Sequence, residues 1–240
     1  MMKNRNLRLI AITAFIFALA GGLIWYVINN PTDSMVERML SSEQISRSLR
    51  EHIVLVAVSM AGALAVGIPG GIFLSRPGFY RLGKILENAV NVGQTVPSLA
   101  ILAIFYTWLG LGFNTAVFAI WLYSILPILR NTFAGITSID DEIIESARGM
   151  GMTRWRILLR IELPLAAPII VAGIRTAIVI NVGTATLATF IGAGGLGDLI
   201  VTGLSIRRDM IIVTGAGLSA LLAILLDFWI GEIKNRIVKW

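Results

Sequence analysis

Residues 145–164, ESARGMGMTRWRILLRIELP, form a polar and basic segment that separates two long apolar stretches of the chain. Three acidic residues, Asp140, Asp141 and Glu142, stand shortly before it. Charged side chains are costly inside a lipid bilayer, so a segment of this composition has to lie in water. We therefore expect a sizeable folded element outside the membrane, flanked by two transmembrane helices.

The acidic residues indicate where the first helix of this polar segment begins. Ser138 followed three residues later by Asp141 resembles a capping box, and negative charge is favoured at the positive end of a helix dipole. We expect a helix over about residues 139–148. It should break at Gly149 and Gly151, because glycine is a frequent helix terminator.

A second short helix is expected after this break, with Thr153 as its cap and an end before Pro164. On the first helix, Ile143, Ile144 and Ala147 recur at spacings that place them on one face. Such an apolar ridge can lie in the groove of a partner protein, and it is also compatible with a solvated loop that folds on itself. The residues alone leave both interpretations open.

The spacing within the segment carries a family resemblance. Residues 145–147 (ESA), Gly151 and residues 161–164 (IELP) resemble the EAA loop of permease subunits of bacterial ATP-binding-cassette (ABC) importers, with Ser146 in place of the middle alanine as the only departure. In that family the loop is a coupling helix pressed into a cleft of the cytoplasmic ATPase subunit. The resemblance implies this role for residues 142–151. The residues that it assigns to ATPase coupling are Glu142, Glu145, Ser146, Ala147, Gly149, Gly151, Ile161, Leu163 and Pro164.

The composition excludes an ordinary soluble domain. Of 240 residues, 56% are hydrophobic and 14% charged, and the mean hydropathy is +0.82. This is typical of a polytopic helical membrane protein, and apolar runs of about twenty residues exclude a transmembrane barrel. With no cysteine, a disulfide framework and a thiolate metal site are excluded. The single histidine, His52, is interpreted as an interfacial residue at the start of a span rather than as a metal ligand or catalytic group.

We expect an all-α protein, a polytopic membrane bundle of about six transmembrane helices. The first apolar run follows Lys3, Arg5 and Arg8 and covers residues 9–28. A secretory signal peptide has the same shape, with residues 18–20 (ALA) as a cleavage site, but the nearly full bilayer length of the run favours an uncleaved helix. The other spans are expected at about 53–74, 90–110, 113–129, 164–190 and 210–230.

The distribution of Lys and Arg predicts that both termini lie in the cytoplasm. Fourteen of these residues fall in segments that this topology places inside and five in segments that it places outside, as the positive-inside rule requires. The same rule explains the sequence pI of about 10.2 without a nucleic-acid partner. The expected parts are an N-terminal transmembrane helix over 1–30, an extracytoplasmic segment over 31–51, and a core over 52–235 with a cytoplasmic coupling loop over 131–163.

Polar residues recur at helical spacing from Asn88 to Ser98 and give the expected third span one polar face. In hydrocarbon such a face must contact other protein or water, so it lines either a helix–helix seam or a translocation path. Pro97 is expected to kink the span. The outer half of the fifth span is also small and polar. The candidate residues of the translocation path are Asn88, Asn91, Gln94, Thr95, Ser98, Asn181 and Thr184.

Arg175 is a charge embedded in the expected fifth span. It lies eleven residues past Pro164, which corresponds to roughly 16 Å of helix. A charge at that depth is costly unless it is paired or hydrated. We interpret Arg175 as part of a structural ion pair rather than as a gate, with Asp227 near the end of the last span as a candidate partner.

Residues 192–197, GAGGLG, match the GxGxxG pattern of dinucleotide-binding proteins, but we reject that interpretation. The pattern needs a βαβ unit and an acidic residue about twenty positions later, and residues 211–222 contain no acid. At the outer end of a membrane span, these glycines predict a tight turn. Similar turns occur at this place in permeases of the importer family.

Further strings resemble the osmoprotectant branch of that family. They are residues 94–100 (QTVPSLA), 122–132 (LYSILPILRNT) and 191–198, within a similarity that spans roughly 50–235. The resemblance implies a type I ABC importer permease fold and uptake of glycine betaine, choline, carnitine or a related solute. Methionine importers are near relatives, so a methionine-type or other small-solute permease remains the alternative.

The resemblance also implies partners. The sequence has no GxxxxGK[ST] phosphate loop, so ATP and Mg²⁺ are expected on two cytoplasmic ATPase subunits, and the chain is not itself an enzyme. A second permease copy or paralogue, an extracytoplasmic solute-binding protein and membrane lipid complete the expected set. No cofactor, metal site, catalytic residue or nucleic-acid partner is expected on this chain, which would lie in the bacterial cytoplasmic (inner) membrane.

Two other classes of function account for less of the sequence. An ATP-independent secondary transporter would explain the polar span and Arg175, but it leaves the EAA-type spacing unexplained, and the sequence shows no convincing inverted repeat. An intramembrane enzyme would need convergent acid–base groups or metal ligands, and the spans contain no cluster of His, Asp and Glu.

Overall fold

Helices make up all the regular secondary structure in a computed structural model that describes residues 2–93 and 95–237. Side chains are described for residues 7–90, 93 and 95–232. The all-α prediction is confirmed. The helices are α1 (Met2–Asn29), α2 (Ser34–Met39), α3 (Ser42–Leu74), α4 (Tyr80–Gly93), α5 (Ser98–Leu109), α6 (Phe113–Thr137), α7 (Asp141–Gly149), α8 (Arg154–Ile157), α9 (Leu163–Ala185), α10 (Leu196–Ile206) and α11 (Asp209–Ile237). A π turn (Leu158–Glu162) joins α8 to α9, and a 3₁₀ segment (Thr186–Ile191) follows α9.

Five helical stretches in the described part of the chain are long and apolar enough to cross a membrane, one fewer than expected. They are Leu7–Asn29, Ser42–Leu74, Phe113–Thr137, Arg154–Ile191 and Asp209–Glu232. The expected third span is divided, because α4 ends at Gly93 and α5 begins after Pro97. Proline lacks an N–H and disfavours the helical conformation of the residue before it, so the expected kink is a full break.

Two helices extend beyond the membrane spans expected from hydropathy. Helix α3 begins at Ser42, capped by Ser41, so much of the expected extracytoplasmic segment is helical. Helix α6 continues to Thr137, past Arg130 where the fourth span was expected to end. Hydropathy locates the apolar part of a helix, whereas its ends depend on caps and on packing against neighbours.

Helices α3, α6 and α9 form the central seam of the bundle, and glycines let them approach closely. A Cβ on Gly71 of α3 would lie 2.5 Å from Cβ of Thr132 on α6. A Cβ on Gly173 of α9 would lie 2.5 Å from Cβ of Asn131. In a membrane, close approach of small residues replaces the hydrophobic effect as the source of helix association. The largest side chains buried along this seam include Leu55, Met60, Ile120, Ile128, Ile178 and Val182.

A polar triad crosses this seam. The Asn181 amide donates to the hydroxyl oxygens of Ser59 at 2.9 Å and Ser124 at 2.8 Å, and all three residues are fully buried. Each serine also donates to a carbonyl of its own helix. Asn181, which was expected on the translocation path, therefore lies inside the helix seam in this structure. Its amide is satisfied inside the chain, as buried polar groups generally are.

The glycine-rich segment 192–197 forms the expected turn. Gly192, Gly194 and Gly195 have positive φ angles of 72°, 78° and 97°, which L side chains rarely adopt. The N–H of Gly195 donates to the Glu51 carboxylate at 3.1 Å. His52 is fully buried against this turn.

On the same side, α1, α2, α10 and α11 share a smaller apolar cluster that includes Val36, Leu199 and Ile211. Asp33 caps α2 and also accepts from Arg208 at 2.7 Å. The N–H of Val36, with that of Met35 and the Arg208 guanidinium, holds the pKa of Asp33 below its usual value. This contact ties α2 to the turn before α11.

Gly71→Ala should destabilise the protein, because the new Cβ would also lie 2.8 Å from the Leu129 carbonyl oxygen. Overpacking of this kind costs roughly 1–3 kcal/mol. Gly21→Ala is the matched control, since nothing lies within 4 Å of a Cβ at Gly21 in α1. Thermal unfolding of both variants in detergent measures the difference, and equal midpoints would contradict the close approach of α3 and α6.

Asn181→Ala should lower stability by about 1–3 kcal/mol, because it leaves two buried serine hydroxyls without their shared partner. Asn114→Ala, at an exposed position near the start of α6, is expected to change stability little. The same thermal measurement compares them. A neutral Asn181→Ala would show that the triad does not hold the seam.

Candidate functional site

The polar segment folds into α7, whose charges suit the helix dipole. Asp141 and Glu142 lie in its first turn and Arg148 in its last. The expected capping box is wrong, because Ser138 ends the preceding helix. Its hydroxyl donates to the Gly135 carbonyl at 3.0 Å, and its N–H donates to Ala134. A serine therefore closes α6 here instead of opening α7.

One part of the apolar ridge expected on α7 is buried against the chain, and another part is exposed to solvent. Ala147 is fully buried, whereas Ile143 is 44% exposed. Glu145 and Ser146 are also exposed. Ala147, to which the family resemblance assigned a coupling role, therefore packs α7 against its own chain. A free face of Ile143, Glu145 and Ser146 remains.

Gly151 makes the turn that ends this helix region. Its φ angle is +74°, and nothing lies within 4 Å of a Cβ placed there. The constraint is thus the backbone conformation and not space. The N–H groups of Gly151 and Met152 donate back to the carbonyls of Arg148 and Ala147 at 2.9 and 3.1 Å. Gly149 lies at the end of α7 with a negative φ and open space around it.

The helix after this turn does not stop before Pro164. Thr153 caps α8 as expected, accepting from the N–H of Arg156. The chain then continues through the π turn into α9. The N–H of Leu163 donates to the carbonyl of Leu158, five residues back. This change of register places Pro164 in the first turn of α9, where a missing N–H is tolerated.

An ion pair that sequence reasoning missed closes the polar segment. Arg76, in the turn after α3, donates to both oxygens of Glu162 at 3.1 and 2.6 Å. Glu162 is the only acidic residue between Arg148 and Pro164, in a stretch with three arginines. A single acidic residue among arginines is a sequence signal that could have identified Glu162 as a member of an ion pair. Nothing in the sequence indicates Arg76 as its partner.

A hydroxyl-lined cleft lies beside the central seam and brings together two of the expected path residues. Its volume is about 340 Å³. Thr95 and Asn88, which precede Ser98 in the sequence, are exposed. Gln94 and the side chain of Asn91 lie outside the described residues. The residues that line the cleft are Ser98, Tyr123, Ile180, Gly183, Thr184 and Leu187.

The chemistry of this cleft is polar but uncharged. Ser98, Tyr123 and Thr184 supply hydroxyl groups, and the other lining residues supply apolar walls or open space. The Tyr123 hydroxyl also donates to the Val96 carbonyl, across the break before α5, at 3.4 Å. Such a surface suits a small solute whose charges need no counter-charge from this chain.

Arg175 is paired, as expected. Its Nε and Nη2 atoms donate to the two carboxylate oxygens of Asp227 at 2.7 and 2.6 Å. Gly231, one turn further along α11, leaves room for the guanidinium. The expected pairing of Arg175 with Asp227 is therefore present in the structure. Within the described residues, no group of three or more His, Asp and Glu side chains could hold a metal ion.

Comparisons with known proteins agree with this architecture. The family model of the binding-protein-dependent transport system inner membrane component matches residues 67–239. The carnitine transport permease protein OpuCD of Listeria monocytogenes is 43% identical over 187 residues, which cover 78% of this chain and 83% of that protein. The osmoprotectant import permease protein OsmY of Salmonella typhimurium is 44% identical over 188 residues, covering 78% and 80%.

Solved structures support the fold. In an inward-facing structure of the methionine ABC transporter MetNI, one chain superposes with a TM-score of 0.71 at 23% identity, over 80% of this chain and 95% of that one. A bacterial alginate ABC transporter gives a TM-score of 0.59 at 19% identity, over 99% and 96%. The chain therefore belongs to the family of binding-protein-dependent transport system inner membrane components, as a multi-pass permease subunit with the fold of ABC importer permeases.

Proposed function

We propose that this chain forms the translocation path of an ATP-driven importer for a small osmoprotectant, such as glycine betaine, choline or carnitine. The observation that carries the proposal is α7, a short polar helix that holds an EAA-type sequence on an exposed surface. A separate ATPase needs an exposed helix of this kind to bind, so that its movement can act on the membrane part of the transporter.

The coupling role rests on the exposed face of α7. Glu142, Glu145 and Ser146 face outward, and Gly151 sets the direction in which the chain leaves the helix. We assign contact with the ATPase to this face. Ala147, Ile161, Leu163 and Pro164 instead support it from within the chain. Closure of two ATPase subunits around ATP and Mg²⁺ would displace two such helices and switch the path between its two openings.

The path itself is assigned to the hydroxyl-lined cleft. Ser98 and Thr184 contribute to it directly, and we place Thr95, Asn88, Asn91 and Gln94 on the approach to it. One chain forms only one wall, so a second copy or a paralogue would complete the enclosure. The cleft lining places no fixed charge against a zwitterionic or cationic solute.

The substrate class is inferred from the relatives and from this cleft together. The relatives include permeases named for carnitine, osmoprotectant and choline transport, each at more than 40% identity. A methionine-type solute is the alternative. An extracytoplasmic solute-binding protein would supply part of the selectivity.

The orientation proposed for the chain counts the divided span, α4 with α5, as one crossing in addition to the five long spans. It puts both termini and α7 in the cytoplasm, on the side of the ATPase. The parts are then an N-terminal helix over 1–30, an extracytoplasmic segment over 31–51 and a permease core over 52–235. Its coupling loop over 131–163 includes the end of α6 and the π turn. The excess of Lys and Arg in the segments assigned to the inside supports this orientation.

Gly151→Arg should abolish co-purification of an ATPase with the tagged chain from its native membrane. A side chain at φ +74° is strained and would redirect the segment that leaves α7. Gly78→Arg adds the same side chain in another turn, where nothing lies within 4 Å of a Cβ, and should retain the ATPase. Wild-type protein that is folded but carries no ATPase would overturn the coupling role and favour an ATP-independent transporter.

Gly183→Leu should block transport without unfolding the protein. Nothing lies within 4 Å of a Cβ at Gly183, so leucine fits the chain but fills the cleft. Uptake of radiolabelled glycine betaine, choline, carnitine and methionine into cells should fall at least about tenfold for the accepted solute, while the ATPase still co-purifies.

Gly22→Leu, in α1 and also without neighbours within 4 Å, is the control for added bulk in a membrane helix and should transport normally. Undiminished uptake by Gly183→Leu would exclude the cleft from the path. Uptake of methionine alone by the wild type would replace the osmoprotectant assignment with the alternative.

A further inference from the structure

The side chains of Arg76 and Glu162 are held more firmly than an ordinary surface ion pair. Glu162 is only 10% exposed and Arg76 is 36% exposed. Besides its two bonds to the carboxylate, the guanidinium donates through Nε to the carbonyl of Ile72 at 3.1 Å. A bidentate arginine–carboxylate pair has a fixed relative geometry. We call this contact the Arg76–Glu162 bridge.

The bridge connects parts of the chain that are 86 residues apart. Its flanking residues, Ile72 and Leu163, belong to an apolar cluster with Ile136 and Ile170, and Ile139 at the entry to α7 packs on the same cluster. The end of α3 therefore meets both the entry to the α7 segment and the exit from it. Apolar contacts have little directional preference, whereas the two parallel hydrogen bonds of the bridge fix the relative orientation of its partners.

Helix α4 continues from the turn that carries Arg76. It is held against α6, because Gly83 lies so close to the ring of Phe133 that a Cβ would collide with it. Helix α4 then leads to the break at Pro97 and to Ser98 in the cleft. The bridge thus links the π turn to the turn that begins α4, and the chain continues from α4 to Ser98 in the cleft wall.

We propose that the Arg76–Glu162 bridge transmits movement of the α7 segment to α4 and so to the cleft. Both residues act as positioning residues and contact neither ATPase nor solute. The inference rests on the proposed function, because it assumes that α7 is displaced by an ATPase. In this proposal the bridge links ATP hydrolysis to a change in the translocation path. This step is separate from the binding of the ATPase to α7.

The test uses the complete transporter, co-purified with its ATPase and solute-binding protein and reconstituted in proteoliposomes. Two quantities are measured in each sample: radiolabelled glycine betaine taken up and ATP hydrolysed. Arg76→Gln and Glu162→Gln should retain the ATPase and hydrolyse ATP, but the solute taken up per ATP should fall by about 2- to 30-fold, the range typical of coupling changes. A purely structural role would lower both quantities together.

Two comparisons make this result specific. The charge swap Arg76→Glu with Glu162→Arg should recover much of the ratio lost in the single variants. Arg81→Gln, which removes an exposed arginine on α4, should leave the ratio unchanged. An unchanged ratio in both single variants, or a loss shared by Arg81→Gln, would overturn the proposal.

A second measurement covers variants that fold poorly. The sequence contains no cysteine, so Arg76→Cys with Glu162→Cys can be joined by a flexible bifunctional thiol reagent. Joining the two positions should raise the solute-to-ATP ratio above that of the same protein before reaction, and no rise would count against the bridge. Absence of ATP-dependent uptake in the wild type would instead defeat the proposed function.

Discussion

The close approach of α3, α6 and α9 is the constraint on which the rest of the molecule depends. Lipid removes the hydrophobic drive for helices to associate, so contact has to come from small residues and shared hydrogen bonds. Gly71 and Gly173 allow the backbones to meet, and the triad of Asn181, Ser59 and Ser124 sets their register. Helices α4, α5 and α11 pack against the helices of this seam.

The seam also explains why the cleft and the exposed α7 segment lie at its edges. The cleft opens where α9 carries Gly183 and Thr184, beside α5 and α6. The α7 segment leaves the seam at the end of α6 and rejoins it at the start of α9. The cleft and the α7 segment are both built on α6 and α9. A rigid seam can therefore relate a displacement of the α7 segment to a change in the cleft.

Several features of the fold and candidate site could be predicted from the sequence because they depend on local chemistry. The turn at Gly151, the Thr153 cap and the charges of α7 need only neighbouring residues. The pairing of Arg175 follows from the cost of a buried charge. Features that depend on distant partners could not be predicted: the residue that pairs with Glu162, the serines that satisfy Asn181, and the role of Ser138, whose residue type suits either end of a helix. The sequence does not distinguish a polar residue that faces a helix–helix seam from one that faces a translocation path.

The pair formed by Arg175 and Asp227 has an electrical consequence. Its two charges cancel within a single contact between α9 and α11, so the two helices can shift together without carrying net charge through the membrane field. Moving one unpaired elementary charge through 100 mV changes the energy by about 2.3 kcal/mol. A permease built in this way can therefore hold an arginine at membrane depth. The charge of this arginine does not make the rate of its transport cycle depend on the membrane voltage.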